Sequence, residues 1–283
     1  MRRFFQVCII FLLSIVFFKE ELLFPASNNA NPFICMHKIK PTKQRFAHKA
    51  GYFLGDVIMD ALRLHRYLFS VTTAQVITGI TPFYIISRSI DEDLQSRFYD
   101  STCHKNRNQF SSKCHKVAQH GIGVPMIALS SLALFGWNED VRTTARVFAI
   151  GLPFVHSGKD IIKKIDTKAC LRPWHEEFSC KQRSCGGFPS GHMANITYAT
   201  ALFGMRFGLK WAVPLGLFAS FVFADFINCN RHYLSQIIAG AGLGLVYAFA
   251  ANKVIEQKLN ERFSVCLTCD PAGRPNLKMA FNF

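Results

Sequence analysis

Three short stretches of this sequence gather the residue types that handle phosphate: "KKIDTKACLRP" at 163–173, "PSGH" at 189–192 and "RHYLSQ" at 231–236. Arginine and lysine neutralise an oxyanion, and the N–H groups exposed at a helix start donate to it. A histidine can attack phosphorus or hand a proton to the leaving oxygen. Pro189 closes whatever precedes it and Ser190 is a good N-cap, so a helix is predicted to open there with His192 in its first turn. A purely structural reading of the same residues also stands. It makes His192 an ordinary first-turn residue, Lys163, Lys164 and Arg172 cations snorkelling from a span end, and His232 a helix-start histidine without chemistry.

The elements that must position these stretches bear on the choice. Hydrophobic residues make up 50% of the 283-residue chain and the net charge is +15. The apolar residues form long blocks parted by basic, cysteine-bearing loops, a pattern that points to a membrane. Spans read at 67–90, 121–137, 147–162, 192–207, 211–227 and 234–251 give about six transmembrane helices, several near the short end of the ~17–25 residues a span takes. If spans alternate in direction, the loops 91–120 and 166–189 and the turn 228–232 share one membrane face, and all three stretches converge on it.

Upstream, residues 50–65 set Phe53, Leu54, Val57, Ile58, Ala61 and Leu62 against Asp56 and Asp60, which predicts an amphipathic helix lying at the interface. The apolar run 4–18 follows Arg2 and Arg3 and fits a cleaved signal, an uncleaved anchor or an interfacial segment. The expected organisation is an N-terminal apolar segment and basic linker at 1–49, a membrane core at 50–258 and a basic tail at 259–283.

The order of lysine, Arg-Pro, PSGH and then a histidine opening a helix that runs into "AGAGLG" resembles the type 2 phosphatidic acid phosphatase superfamily, the membrane branch of the fold shared with vanadium haloperoxidases. The resemblance covers residues 67–251. It implies an all-α, integral-membrane bundle that hydrolyses phospholipid or isoprenoid phosphates without metal or cofactor. Carried over residue by residue, Arg172 binds phosphate, Ser190 and Gly191 hold its oxygens, His192 protonates the leaving group, and His232 is the nucleophile that forms a phosphohistidine.

The sequence departs from the family pattern in two motifs. The first motif's lysine falls on Ile165, so Lys164 is the expected phosphate ligand and Lys163 its rival. The third motif's arginine falls on Phe226 and its acid on Gln236. Arg231 is expected to supply the lost charge. Gln236 is expected to accept from His232 through its amide oxygen, with no charge to stabilise an imidazolium. These departures motivate an alternative: a catalytically weakened relative that binds or transfers anionic lipid phosphate groups.

The basic residues are scattered over both faces and accompany no nucleic-acid module, so anionic lipid is the expected partner and nucleic acid is not. No His/Cys/Asp/Glu cluster with good metal-ligand spacing is apparent on the PSGH face. Cys103, Cys114, Cys170, Cys180, Cys185 and Cys229 fall on that face and would form disulfides in an oxidising compartment, whereas "CLTC" at 266–269 is a lone CxxC. The short loops of the other face carry Arg142, Arg206 and Lys210, and the positive-inside rule then expects a bacterial inner-membrane protein with an extracytoplasmic active site. An N-terminal segment starting inside would reverse that orientation. Asp225, an acid at a span end, is a functional suspect; His156 reads as a packed or cavity histidine, and "WHEEF" at 174–178 as a lid or a solvated loop.

Overall fold

The structure is a computed structural model that describes residues 46–100, 105–106, 112–164, 173, 186–269 and 275–281. Arg172, the WHEEF stretch, the 4–18 segment, and Cys103, Cys170, Cys180 and Cys185 lie outside the described residues. Two compact units form, Met1–Met59 and Asp60–Phe283, and the described part of the first is the opening of helix α1 (Phe46–Leu68).

The second unit is built on helices. Ser70 caps α2 (Val71–Ser89) by accepting from the Thr73 N–H at 3.3 Å, and α1 and α2 meet at a 53° bend. A single-turn helix α3 (Asp91–Ser96) and the two-residue strands β1 (Tyr99–Asp100) and β2 (Lys105–Asn106) follow. Then come α4 (Ser112–His120), α5 (Gly123–Phe135) and α6 (Glu139–Lys163), the last capped by Asn138, whose Oδ1 accepts from the Val141 N–H at 2.8 Å. α7 (Gly191–Phe207) and α8 (Leu209–Asn228) are parted by Gly208 alone, whose φ of 76° is one that a side chain would oppose. The last helix, α9 (Leu234–Arg262), leads into an antiparallel hairpin of β3 (Phe263–Cys269) and β4 (Pro275–Phe281), where the sequence suggested only a basic tail.

α7 is the centre of the unit, packed by α6, α8 and α9, with Met193, Ile196, Tyr198, Leu202 and Phe203 buried. Its contact with α9 depends on two glycines one turn apart. A Cβ at Gly240 would stand 2.3 Å from the Ser190 carbonyl oxygen and one at Gly244 2.4 Å from that of Ala194. The "AGAGLG" run is therefore a small-xxx-small face that lets two helix backbones meet.

Among the described residues, three helical stretches are long and apolar enough to cross a membrane, Lys113–Phe135, Leu209–Asn228 and Leu234–Asn260, and the bent pair Gly55–Leu68 with Val71–Ser89 makes a fourth. The chain is an integral membrane protein with an all-α core. Two of the six expected spans do not meet that standard, for different reasons. α6 is about 37 Å long at 1.5 Å per residue, but it carries Arg142, Arg146, Lys159, Asp160 and Lys163. α7 has 17 residues and turns its apolar side chains toward other helices, not lipid. Ile85 and Ile86 on α2, Val124 and Ile127 on α5 and Leu217 on α8 are exposed, as lipid-facing residues must be.

Within 50–65, Asp60 and Leu62 go against the amphipathic reading, whereas Asp56 is exposed as that reading expects. Leu62 is exposed while Asp60 is buried, its carboxylate held by Lys258 Nζ at 2.8 and 2.6 Å and approached by Arg146 Nε at 3.6 Å. In an apolar solvent the paired charges turn inward and the leucine outward. Breaking a buried pair leaves a desolvated charge and typically costs about 3–5 kcal/mol. Lys258→Ala is therefore expected to destabilise the detergent-solubilised protein by about that much, and the double change Asp60→Asn with Lys258→Gln to recover most of it, as read from unfolding curves.

Candidate active site

A cavity of about 240 Å³ opens where the ends of α4, α6 and α8 meet the start of α7. His192 and His232 both line it, as do Lys159, Lys163 and Arg231. The alternating-direction argument put PSGH, RHYLSQ and the end of the third span together, and they share this cavity.

Gln236 organises the histidine end. It is the third residue of α9, and its Oε1 accepts from the backbone N–H of Tyr233 at 3.2 Å, the glutamine half of a capping box. A backbone N–H can only donate, so the amide oxygen, not its nitrogen, faces His232 Nδ1 at 3.3 Å. Nδ1 of His232 then carries the proton, and the lone pair lies on Nε2. The main-chain carbonyl of Gln236 accepts the Ser190 N–H at 3.0 Å, which ties PSGH to RHYLSQ directly. All three residues are buried.

The start of α9 is held from a distance as well. Asp91 accepts from the Ser235 N–H at 3.0 Å and from its hydroxyl, and Arg88 Nη1 stands 3.3 Å from the same carboxylate. Burial pushes the Asp91 carboxyl above its ordinary range, with the Ser235 donors and Arg88 pulling it back. An acid at a helix N-terminus also suits the helix dipole. Sequence reasoning missed Asp91; its only signal was the acidic run "DED" directly after a helix.

His192 takes a defined tautomer too. Its Nε2 lies 2.9 Å from the Gln119 carbonyl, which can only accept, so Nε2 donates and Nδ1 is left to exchange a proton. The Phe226 ring packs against both histidines, edge-on to His192 at 5.2 Å and tilted to His232 at 5.4 Å. Ser190 occupies the N-cap position but makes no capping bond, contrary to the structural reading, and its buried Oγ has no hydrogen-bond partner among the described residues.

The cations differ from expectation. Lys164, the cap residue just past the end of α6, is exposed and lies outside the cavity, whereas Lys163 lines it, and so does Lys159 one turn earlier. The helix phase sets this choice: residues four apart share a face, and Lys163 and Lys159 share the one that meets α7. Lys159 Nζ sits 3.1 Å from His156 Nδ1 and 3.2 Å from Asp160 Oδ1, and His156 Nε2 is 3.1 Å from Asn195 Nδ2. Gly191 makes room for Lys159, since a Cβ there would meet its Cδ at 2.6 Å. His156 is a cavity histidine, as its position suggested, while Lys159 went unnoticed although its i, i+4 spacing to Lys163 was legible.

Asp225 is fully buried and bonds His115 Nδ1 at 2.8 Å, and the Cys229 thiol lies 3.5 Å from its other oxygen. The ligand-type atoms of these three residues lie within 4.8 Å of one another. The sequence reading found no such cluster because His115 and Asp225 are 110 positions apart. Among the described residues, neither Cys114 nor Cys229 forms a disulfide.

Residues 126–259 match the family model described as the PAP2 superfamily. None of the curated proteins matches the chain. A solved structure, described as the first transmembrane PAP2 type phosphatidylglycerolphosphate phosphatase, from Bacillus subtilis, aligns over 64% of this chain and 96% of its own, with 15% sequence identity and a TM-score of 0.33. If the cavity takes an oxyanion, charge-assisted bonds of ~1.5–3 kcal/mol each make Lys159→Ala and Lys163→Ala weaken vanadate binding about tenfold or more. Lys164→Ala should leave it within about twofold, by calorimetry on the purified protein.

Proposed function

We propose that this membrane protein, whose residues 126–259 match the PAP2 superfamily model, hydrolyses lipid phosphate monoesters or prenyl diphosphates through a phosphohistidine intermediate. The observation that carries the reading is the capping bond from Tyr233 N–H to Gln236 Oε1, which fixes the amide, hence the His232 tautomer, hence the nucleophilic nitrogen.

The reaction then runs in two displacements. The Nε2 lone pair of His232 forms an N–P bond as the P–O bond to the lipid breaks, and His192, starting as an imidazolium with a second proton on Nδ1, gives that proton to the departing oxygen. Water next attacks phosphorus, His192 takes a proton from it, and the P–N bond breaks to release phosphate. Lys163, Lys159, Arg231, Arg172, the Ser190 hydroxyl and the Gly191 N–H hold the phosphoryl oxygens. The second displacement is microscopically the reverse of the first with water as the alcohol, which is why one acid-base histidine serves both.

We assign the cavity end to the extracytoplasmic side of a bacterial inner membrane. Arg142, Arg206 and Lys210 on the short connections of the other end support this, since the rule concerns basic residues and is little affected by the acids that Arg142 and Arg206 pair with, Glu139 and Asp140. A second reading, a relative that binds or transfers lipid phosphate without turnover, draws on Phe226: a buried phenyl ring stands where the family pattern has an arginine.

The test is release of inorganic phosphate from phosphatidate, phosphatidylglycerophosphate and undecaprenyl diphosphate by the purified protein. Release that survives EDTA, is blocked by vanadate and disappears in His232→Ala supports the enzyme; loss in EDTA with recovery in Mg²⁺, or release unchanged in both His232→Ala and His192→Ala, overturns it. Gln236→Glu keeps the side-chain length and the capping bond and adds a charge beside His232. It should raise kcat about tenfold or more, since removing such a charge beside a catalytic histidine can cost ~10⁴-fold.

A further inference from the structure

We propose that His115 and Asp225 are positioning residues that hold Arg231 in the cavity, so that a cation from the turn before α9 takes over phosphate binding from the position Phe226 occupies. The inference rests on the phosphatase reading for its consequence, though not for its geometry.

Asp225 ends up fully buried near the last turn of α8. Its Oδ2 lies 2.8 Å from His115 Nδ1, and a carboxylate only accepts, so the His115 proton is on Nδ1. The neutral ring then offers its Nε2 lone pair, and Arg231 Nη1 stands 3.3 Å from that atom. Each contact fixes the next: carboxylate, tautomer, acceptor, guanidinium. The backbone of Arg231 is anchored separately, its N–H donating to the Phe226 carbonyl at 2.9 Å after Asn230 turns the chain with a φ of 57°. His115, from α4, supplies Arg231 with a partner across the turn.

The same three residues could be read as a divalent-metal site, with Cys229 as the third ligand. The hydrogen bonds argue against it. A metal on Nδ1 would force the ring proton onto Nε2, where it would face the N–H of Arg231, donor against donor. The arrangement present satisfies every atom of the ring.

A double-mutant cycle separates a positioning role from a structural one. In the wild-type background His115→Ala should raise the vanadate dissociation constant and the KM for phosphate release by the same factor, about tenfold, with kcat changed less. In an Arg231→Ala background the same change should add less than about twofold. His115→Gln, whose amide nitrogen can donate to Asp225 while its oxygen accepts from Arg231, should restore most of the binding, and it carries the test if His115→Ala does not fold. Equal losses in both backgrounds overturn the proposal, as does failure of His115→Gln to rescue a folded protein. Stoichiometric zinc in the purified wild type, lost with vanadate binding in Cys229→Ser, overturns it in favour of a metal site. The cycle read on vanadate binding needs no turnover: a protein that binds vanadate with the expected coupling but releases no phosphate overturns the phosphatase reading alone, and one that binds no vanadate overturns both.

Discussion

Gln236 accepts hydrogen bonds at both its carbonyls, and the site depends on the pair. The main-chain oxygen takes the N–H of Ser190 and so fixes where α7 begins; the side-chain oxygen takes the N–H of Tyr233 and the proton of His232. Helix starts are hungry for acceptors because their first N–H groups have no intrahelical partner. Here that ordinary need is met by a residue that also sets the tautomer of His232. Asp91 meets the neighbouring demand at Ser235, so the helix that presents His232 is gripped by acceptors from its own third position and from the α2–α3 junction.

Gln236 also gives a physical account of one departure from the family pattern. At the third helical position a side chain must reach back to the capping N–H, and glutamine or glutamate has the length for it. Aspartate is one methylene shorter. The chain has a side chain that closes the capping box where the family has one that carries charge. A second departure, Phe226, packs an apolar ring against both histidines. The cations at the cavity come instead from α6 and from the turn after α8.

Much of this was legible because the relevant signals are local. Pro189 and Ser190 announce a helix start, His232 and Gln236 are four apart on one helix, and the apolar blocks declare a membrane. What the sequence withheld depends on phase or on distance. Choosing Lys163 over Lys164 requires knowing which face of α6 meets α7, and a one-residue error rotates a side chain by about 100° at 3.6 residues per turn. His115 and Asp91 are joined to the site by contacts across 110 and 144 positions, with no spacing rule to link them. Within 50–65, helical spacing alone does not show that Asp60 is buried against a lysine 198 positions away while Leu62 is exposed.

The Asp60–Lys258 pair bears on how the protein is made. Its members are separated by 198 positions, and Lys258 lies about 36 Å along α9 from Leu234 at 1.5 Å per residue. Translation at ~5–20 residues per second leaves roughly 10–40 s between the emergence of the aspartate and that of its lysine. For that interval a carboxylate destined for the protein interior has no Lys258 to meet. Arg146, synthesised well before Lys258, is the cation that can meet this carboxylate before α9 arrives. The Asp60–Lys258 pair is then a late contact in biogenesis, one that joins α1 to α9.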